Sequence, residues 1–237
     1  MYKLIVTSEV GESITLLPQG VNYAVTSIEG LNPPSANINT SSMGLSPGEI
    51  FNSSKIGVRN IVINLRLINN IEHIRRELYN VFIIGEKVNL CYSVGSMDYF
   101  IDSYVEDIAN SPFTSKQKMQ ISLLCPFPYF QGKEPMQTTI SSSGIIVNPG
   151  VECGIKMTTS ISNPKIANTT NGQVMELTSS GQIEITTQQG NKHIKQNGNE
   201  IFPFNKKIDW ISLRHGANTI TCNGSVFLEF TPLYVGV

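Results

Sequence analysis

Charge is what this 237-residue chain has least of. Asp, Glu, Lys and Arg together make up 15% of it, below the quarter usual in soluble proteins. With 17 basic and 18 acidic residues the net charge is −1. That balance presents no cationic face to a phosphate backbone or an anionic bilayer, so nucleic acid and membrane are excluded as expected partners. Cysteine is also scarce. The four, Cys91, Cys125, Cys153 and Cys222, contain no C-x-x-C pair. They are read as reduced thiols in or near a core, and a disulfide framework is not expected. Long apolar runs are missing too. No stretch approaches the ~18 residues of a membrane helix. The run Leu4–Val6 is too short for a signal peptide, so the expectation is a soluble chain made in a cytoplasm.

Catalytic motifs are missing as well. There is no P-loop, G-x-S-x-G elbow, H-E-x-x-H or G-x-G-x-x-G. The three histidines, His73, His193 and His215, have no second ligand at a recurring metal spacing. The one carboxylate pair, Glu106-Asp107, sits at a strand end. Neighbours on a strand face opposite ways, so the two cannot readily flank one substrate bond. The expectation is a protein that is not an enzyme, with no metal and no cofactor.

What the chain does have is a β pattern. Residues 2–7 and 22–29 are short β-rich runs. Residues 31–57 hold Pro33, Pro34, Gly44, Pro47, Gly48 and Gly57 among Ser and Asn without helical period, and read as a long loop or arm. Ile61, Ile63, Leu65 and Leu67 alternate, which predicts a strand over 58–68 with one face in a core. One helix is expected at about 70–83, with Ile71, Ile74, Leu78 and Val81 on its apolar stripe. Asn69 and Glu72 have capping-box spacing. Strands follow over 88–94, 98–108 and 119–125, with Pro112 breaking the second and Pro126 and Pro128 stopping the third.

Residues 131–144, rich in Gly, Ser, Thr and Gln, read as a boundary. Beyond them turn signals recur at regular spacing, from Asn148-Pro149-Gly150 to Asn223-Gly224, as in an antiparallel sandwich. Two domains are therefore expected, over 1–133 and 134–237. Within the second, Trp210, Arg214, His215 and Asn218 lie within nine residues. An aromatic platform beside Arg, His and Asn donors is the chemistry of a sugar site, so these four are the candidate sugar contacts. The plainer reading puts Trp210 in the core with Ile208 and makes His215-Gly216-Ala217-Asn218 a turn.

Several of these segments together resemble the distal tail proteins of long-tailed phages. In the first half the resemblance is carried by Ile28-Glu29-Gly30, a long loop, Gly57-Val58-Arg59-Asn60-Ile61-Val62-Ile63, the helix with Arg75-Arg76-Glu77-Leu78, the hairpin at 87–106, and Cys125-Pro126-Phe127-Pro128-Tyr129. In the second it is carried by Asn148-Pro149-Gly150-x-Glu152, Asn163-Pro164-x-Ile166-x-Asn168 and Leu213-x-x-Gly216-x-Asn218-x-Ile220. The chain departs from the family at Pro47-Gly48, where Asp-Gly is common, and at Val151-Glu152, where Asp-x-Glu is usual.

The resemblance implies a mainly β fold. A tail-tube-like β-sandwich with one flanking helix would be followed by a galectin-like sandwich. It implies a structural part of a virion tail tip, found in a phage or a phage-derived particle. The first domain would form a ring, six-fold in the family, and 31–57 is the candidate arm onto the next copy. Implied partners are further copies of the chain, the tail-tube protein, a tail-associated fibre or lysin, and receptor-binding proteins docked on the second domain. The competing expectation is a carbohydrate-binding protein acting through the second domain.

Overall fold

Ile61, Ile63, Leu65 and Leu67 are all buried, and Asn60 and Arg66 between and beside them are exposed, so the clearest sequence signal is also the spine of the first sheet. Each such side chain contributes roughly 1.5–3 kcal/mol on burial. A computed structural model of the chain describes residues 2–44, 47–111, 117–202 and 207–237. The expected break at Pro112 lies outside them. The chain divides into two compact units, Met1–Phe130 with Val235–Val237, and Gln131–Tyr234.

The first unit holds β1 (Tyr2–Ser8), β2 (Ser13–Leu16), β3 (Tyr23–Glu29), β4 (Ala36–Ser42), β5 (Glu49–Ile56), β6 (Arg59–Leu67), α1 (Ile71–Val81), β7 (Lys87–Val94), β8 (Met97–Asn110) and β9 (Lys118–Cys125). Its main sheet runs in the order β2-β1-β7-β8-β9-β6-β3, leaving β2 and β3 at the edges. The helix buries Ile74, Leu78 and Val81 and packs on β1 and β2. Its expected capping box does not form. Asn70 stands at the N-cap in the left-handed region, φ 49, with no side-chain cap bond. Asn69 instead donates to Val21 O at 2.8 Å. Glu72 pairs with Arg75 at 2.9 Å, one helical turn on.

Residues 31–57 were expected as loop, yet β4 and β5 pair antiparallel along their whole length as a separate two-stranded sheet. The reason they escape a periodicity reading is physical. Every residue of β4 and nearly every residue of β5 is exposed, so no face demands apolar side chains.

Strand β10 (Phe130–Gly132) leads out of the first unit. The second holds β11 (Met136–Asn148), β12 (Cys153–Gly154), β13 (Lys156–Thr159), β14 (Lys165–Asn168), β15 (Gln173–Glu176), β16 (Ile183–Gln188), β17 (Asn191–Gln196), β18 (Asn199–Glu200), β19 (Ser212–Leu213), β20 (Gly216–Phe230) and β21 (Leu233–Tyr234). One sheet has the order β15-β14-β20-β13-β16-β17-β18, with β11 along β20 and β12 paired with β19 apart from it. Met157, Ile166, Ile185, Ile220 and Leu228 lie at its core. The mainly β, antiparallel fold class read from the sequence holds in both units.

Two local readings are corrected. Residues 131–144 are not the turn-like stretch their composition suggests, because β11 starts at Met136. Thr and Ser suit an exposed strand as well as a loop. Asn223-Gly224 is not a turn between strands but lies inside β20, where the register against β11 slips near Ser142. Asn223 there accepts from Lys165 N at 2.9 Å and donates to Asn163 O at 3.0 Å. A Cβ on Gly224 would come within 2.7 Å of Ile161, so this bulge admits only glycine without a shift.

Candidate functional site: an exposed hairpin, two buried polar hubs and the Trp210 pocket

The β4–β5 hairpin is turned by Gly44, φ +67, and Gly48, φ +104. Its strands are tied by Thr40 donating to Glu49 and Ser41 to Asn52. Thr40 faces Phe51 in the ladder, and Ile38 lies two residues before Thr40. Ile38 and Phe51 therefore share one face, 65% and 62% exposed. Met43 and Ile50 are exposed as well. A two-stranded ribbon wet on both faces is only marginally stable in water. The apolar pair held out on this ribbon makes it a candidate contact surface.

The hairpin enters β6 at Arg59, which was legible only as part of a family-like segment. Arg59 is 2% exposed. Its Nε donates to Pro128 O at 2.7 Å. One terminal nitrogen donates to Gly30 O and, at 2.8 Å, to Asn32 O, and the other to Val235 O. The guanidinium carbon stands 4.8 Å from the Phe130 ring centroid. The planar fork of Arg suits several acceptors at fixed angles. Burial lowers the Arg59 pKa. Burial likewise pushes the nearby Cys125 thiol up to about 12, although the Arg59 charge pulls the other way. This one side chain ties together Gly30 of the Ile28-Glu29-Gly30 segment, Pro128 of the Cys125–Tyr129 segment and the returning end of the chain. Gly30 is fixed for its own reason: at φ +84, an added Cβ would sit 2.0 Å from Asn60 O.

The second unit has a matching hub of amides. Asn148, Asn168 and Asn218 are fully buried. Asn148 donates to Val151 O at 2.8 Å and Leu213 O at 3.0 Å, and accepts from Gly150 N at 3.0 Å. Asn168 donates to Ser212 O at 2.8 Å and to Asn218 Oδ1 at 3.1 Å. Asn218 donates to Arg214 O and Gly216 O and accepts from Arg214 N. The second-half segments on which the family resemblance rests thus hold three buried amides that fix loops, a role needing no ligand.

The four candidate sugar contacts are placed as follows. Asn218 spends its amide on this hub and is buried. Arg214 and His215 are exposed, and His215 Nδ1 lies 2.9 Å from Gly150 O. Trp210 packs against the core cluster and lines a cavity of about 230 Å³ with Lys192, His193, Ile194, Phe202 and Ile208, which includes none of the other three. Lys192 Nζ lies 5.8 Å from the Trp210 ring centroid. Among the described residues no group of three or more His, Cys, Asp or Glu could hold a metal. No described helix is long and apolar enough to cross a membrane.

The architecture defines a class: a chain of two compact, antiparallel β units whose first unit carries one short helix and an exposed hairpin. No protein-family model and no curated protein matches the chain. Solved structures do share its fold. The phage SPP1 Dit protein, described as a paradigm of the hub adsorption apparatus in phages infecting Gram-positive bacteria, is 13% identical with a TM-score of 0.74, over 99% of each chain. A chain of the phage P2 baseplate in its activated conformation with calcium is 9% identical with a TM-score of 0.53, over 100% of each. At such identities the likeness is one of fold.

Proposed function

We propose that this chain is a structural, non-catalytic hub at the tip of a phage or phage-derived tail. The observation that carries the reading is the fold it shares, end to end, with the SPP1 Dit protein. Copies join through the first unit into a closed ring, six-fold in the resembled family. A head-to-tail contact that closes makes such a ring. The β4–β5 hairpin is the arm, and Ile38 and Phe51 are its contacts with the next copy. The ring joins the end of the tail tube to the fibre, lysin or baseplate, and the second unit carries host-recognition proteins. Electron microscopy of the purified chain tests this: rings with a central channel are expected, and a strict monomer at high concentration overturns it. Deleting residues 36–54 weakens the ring while the second unit stays folded. Equal assembly by the deleted chain refutes the arm.

A second reading rests on one observation: the chain's single tryptophan, besides packing on the core cluster, lines a surface cavity. In this reading the second unit binds a glycan at Trp210. Isothermal titration calorimetry with host-wall polysaccharide tests it, with Trp210→Ala abolishing the binding heat. No response to any wall fraction overturns it.

A further inference from the structure

Strand β11 lies along β20, and among the described residues it pairs with no other strand. Its far side is an open ladder edge in a 13-residue strand. Folded proteins blunt such edges with charge, proline or irregularity. From Met136 to Asn148 the strand has no ionisable residue and no proline. Its one irregularity is at Ser142, φ 89, where the register slips and the edge is divided. The part beyond the slip reads Ser143-Gly144-Ile145-Ile146-Val147-Asn148. There Ile146 is buried while Ile145 and Val147 stand 70% and 57% exposed. They continue on one face with Ala217, which is opposite Val147 and also exposed. A row of unpaired N–H and C=O groups is matched only by another backbone, so what covers this edge is a strand.

We propose that the outer edge of β11 pairs antiparallel with β11 of a second copy, about a two-fold axis at Ile146. The register follows from the faces. An axis between residues would set an outward side chain opposite a core-facing one, so the axis must pass through a residue. Centred on Ile146, it sets Ile145 opposite the Val147 of the other copy, twice, making two apolar pairs on the outer face. The pairing is centred on residues 145–147, because Asn148 is already buried within its own unit. Pro149 ends it, because it has no N–H to offer. Self-pairing also fits the absence of charge, since a charge at position 146 would meet its own copy across the axis and like charges opposed on a strand pair are destabilising. The contact is separate from the ring. Where rings form, it joins ring to ring; where they do not, it joins two chains.

Light scattering on the full chain at rising concentration tests the proposal. The smallest species, whether single chain or ring, is expected to double in mass. Ile145→Lys with Val147→Lys should raise the concentration needed by at least about 100-fold, without changing the far-ultraviolet spectrum. The register is tested by mixing an Ile145→Cys chain with a Val147→Cys chain. The mixture should cross-link on oxidation far better than either alone, because opposed residues have Cβ atoms about 5 Å apart. A native chain that does not double at about 1 mM, doubling that survives both lysines, or cross-linking as good in the unmixed variants overturns the proposal. Phe51→Asp separates the two contacts: it should abolish the ring and leave the doubling intact.

Discussion

Replacing Arg59 by Met removes donors from four carbonyls at once, those of Gly30, Asn32, Pro128 and Val235. Each carbonyl left buried without a donor costs about 1–3 kcal/mol, offset by no longer burying a charge. The balance is a loss of about 3–5 kcal/mol, against a total stability of about 5–15 kcal/mol. Arg59→Lys keeps the charge but not the fork, and should lose about half as much. Removing Val235–Val237 takes away one acceptor and the bond from Val237 N to Leu31 O, for about 1–2 kcal/mol. Guanidinium denaturation followed by circular dichroism measures all three. The single Trp210, in the second unit, gives an independent fluorescence signal for that unit. Arg59→Met should bring a dichroism transition to lower denaturant while the tryptophan transition shifts less. A shift worth under about 1 kcal/mol would refute the clasp, because it would mean that those carbonyls find other donors.

Other consequences are sharp enough to measure. Asn218→Ala should destabilise the second unit by about 2–4 kcal/mol, seen as an earlier tryptophan transition, because four polar groups lose their partner. Gly30→Ala should cost more than about 2 kcal/mol in the dichroism transition, since strain at positive φ adds to the clash with Asn60 O. Burial pushes Cys125 and Cys153 from 9.0 to about 12. Below pH 9 native and unfolded chains both keep these protons and stability is full. Between about pH 9 and 12 only the unfolded chain releases them, so stability falls by up to about 1.4 kcal/mol per pH unit for each thiol. Cys125→Val should flatten that slope in a pH series of denaturation midpoints.

The sequence was most readable where one face of an element is dry. The alternation of Ile61–Leu67 and the stripe of Ile74, Leu78 and Val81 are both consequences of burial, and both lie where they were expected. The β4–β5 hairpin has no dry face, so its residues carry no period and look like loop. β11 hides for a related reason, since half of it is Ser, Thr and Gln on an open edge. At the helix start local spacing misled, because Asn69 is claimed by a carbonyl outside the helix. Arg59 was unreadable as a hub. A charged residue beside an exposed asparagine normally points to solvent, and nothing local tells that four carbonyls from distant segments converge on it. Asn218 shows the converse: its proximity to Trp210 in sequence suggested a binding set, but its amide is used up within its own loops.

The central claim is that copies of this chain close into a ring through the first unit. Electron microscopy of the full chain, beside the Ile38→Asp/Phe51→Asp variant, tests it most directly. The account predicts closed rings with a central channel for the native chain, and none for the variant at an unchanged melting temperature. A native chain that stays a single particle of 26.1 kDa at every concentration would contradict it.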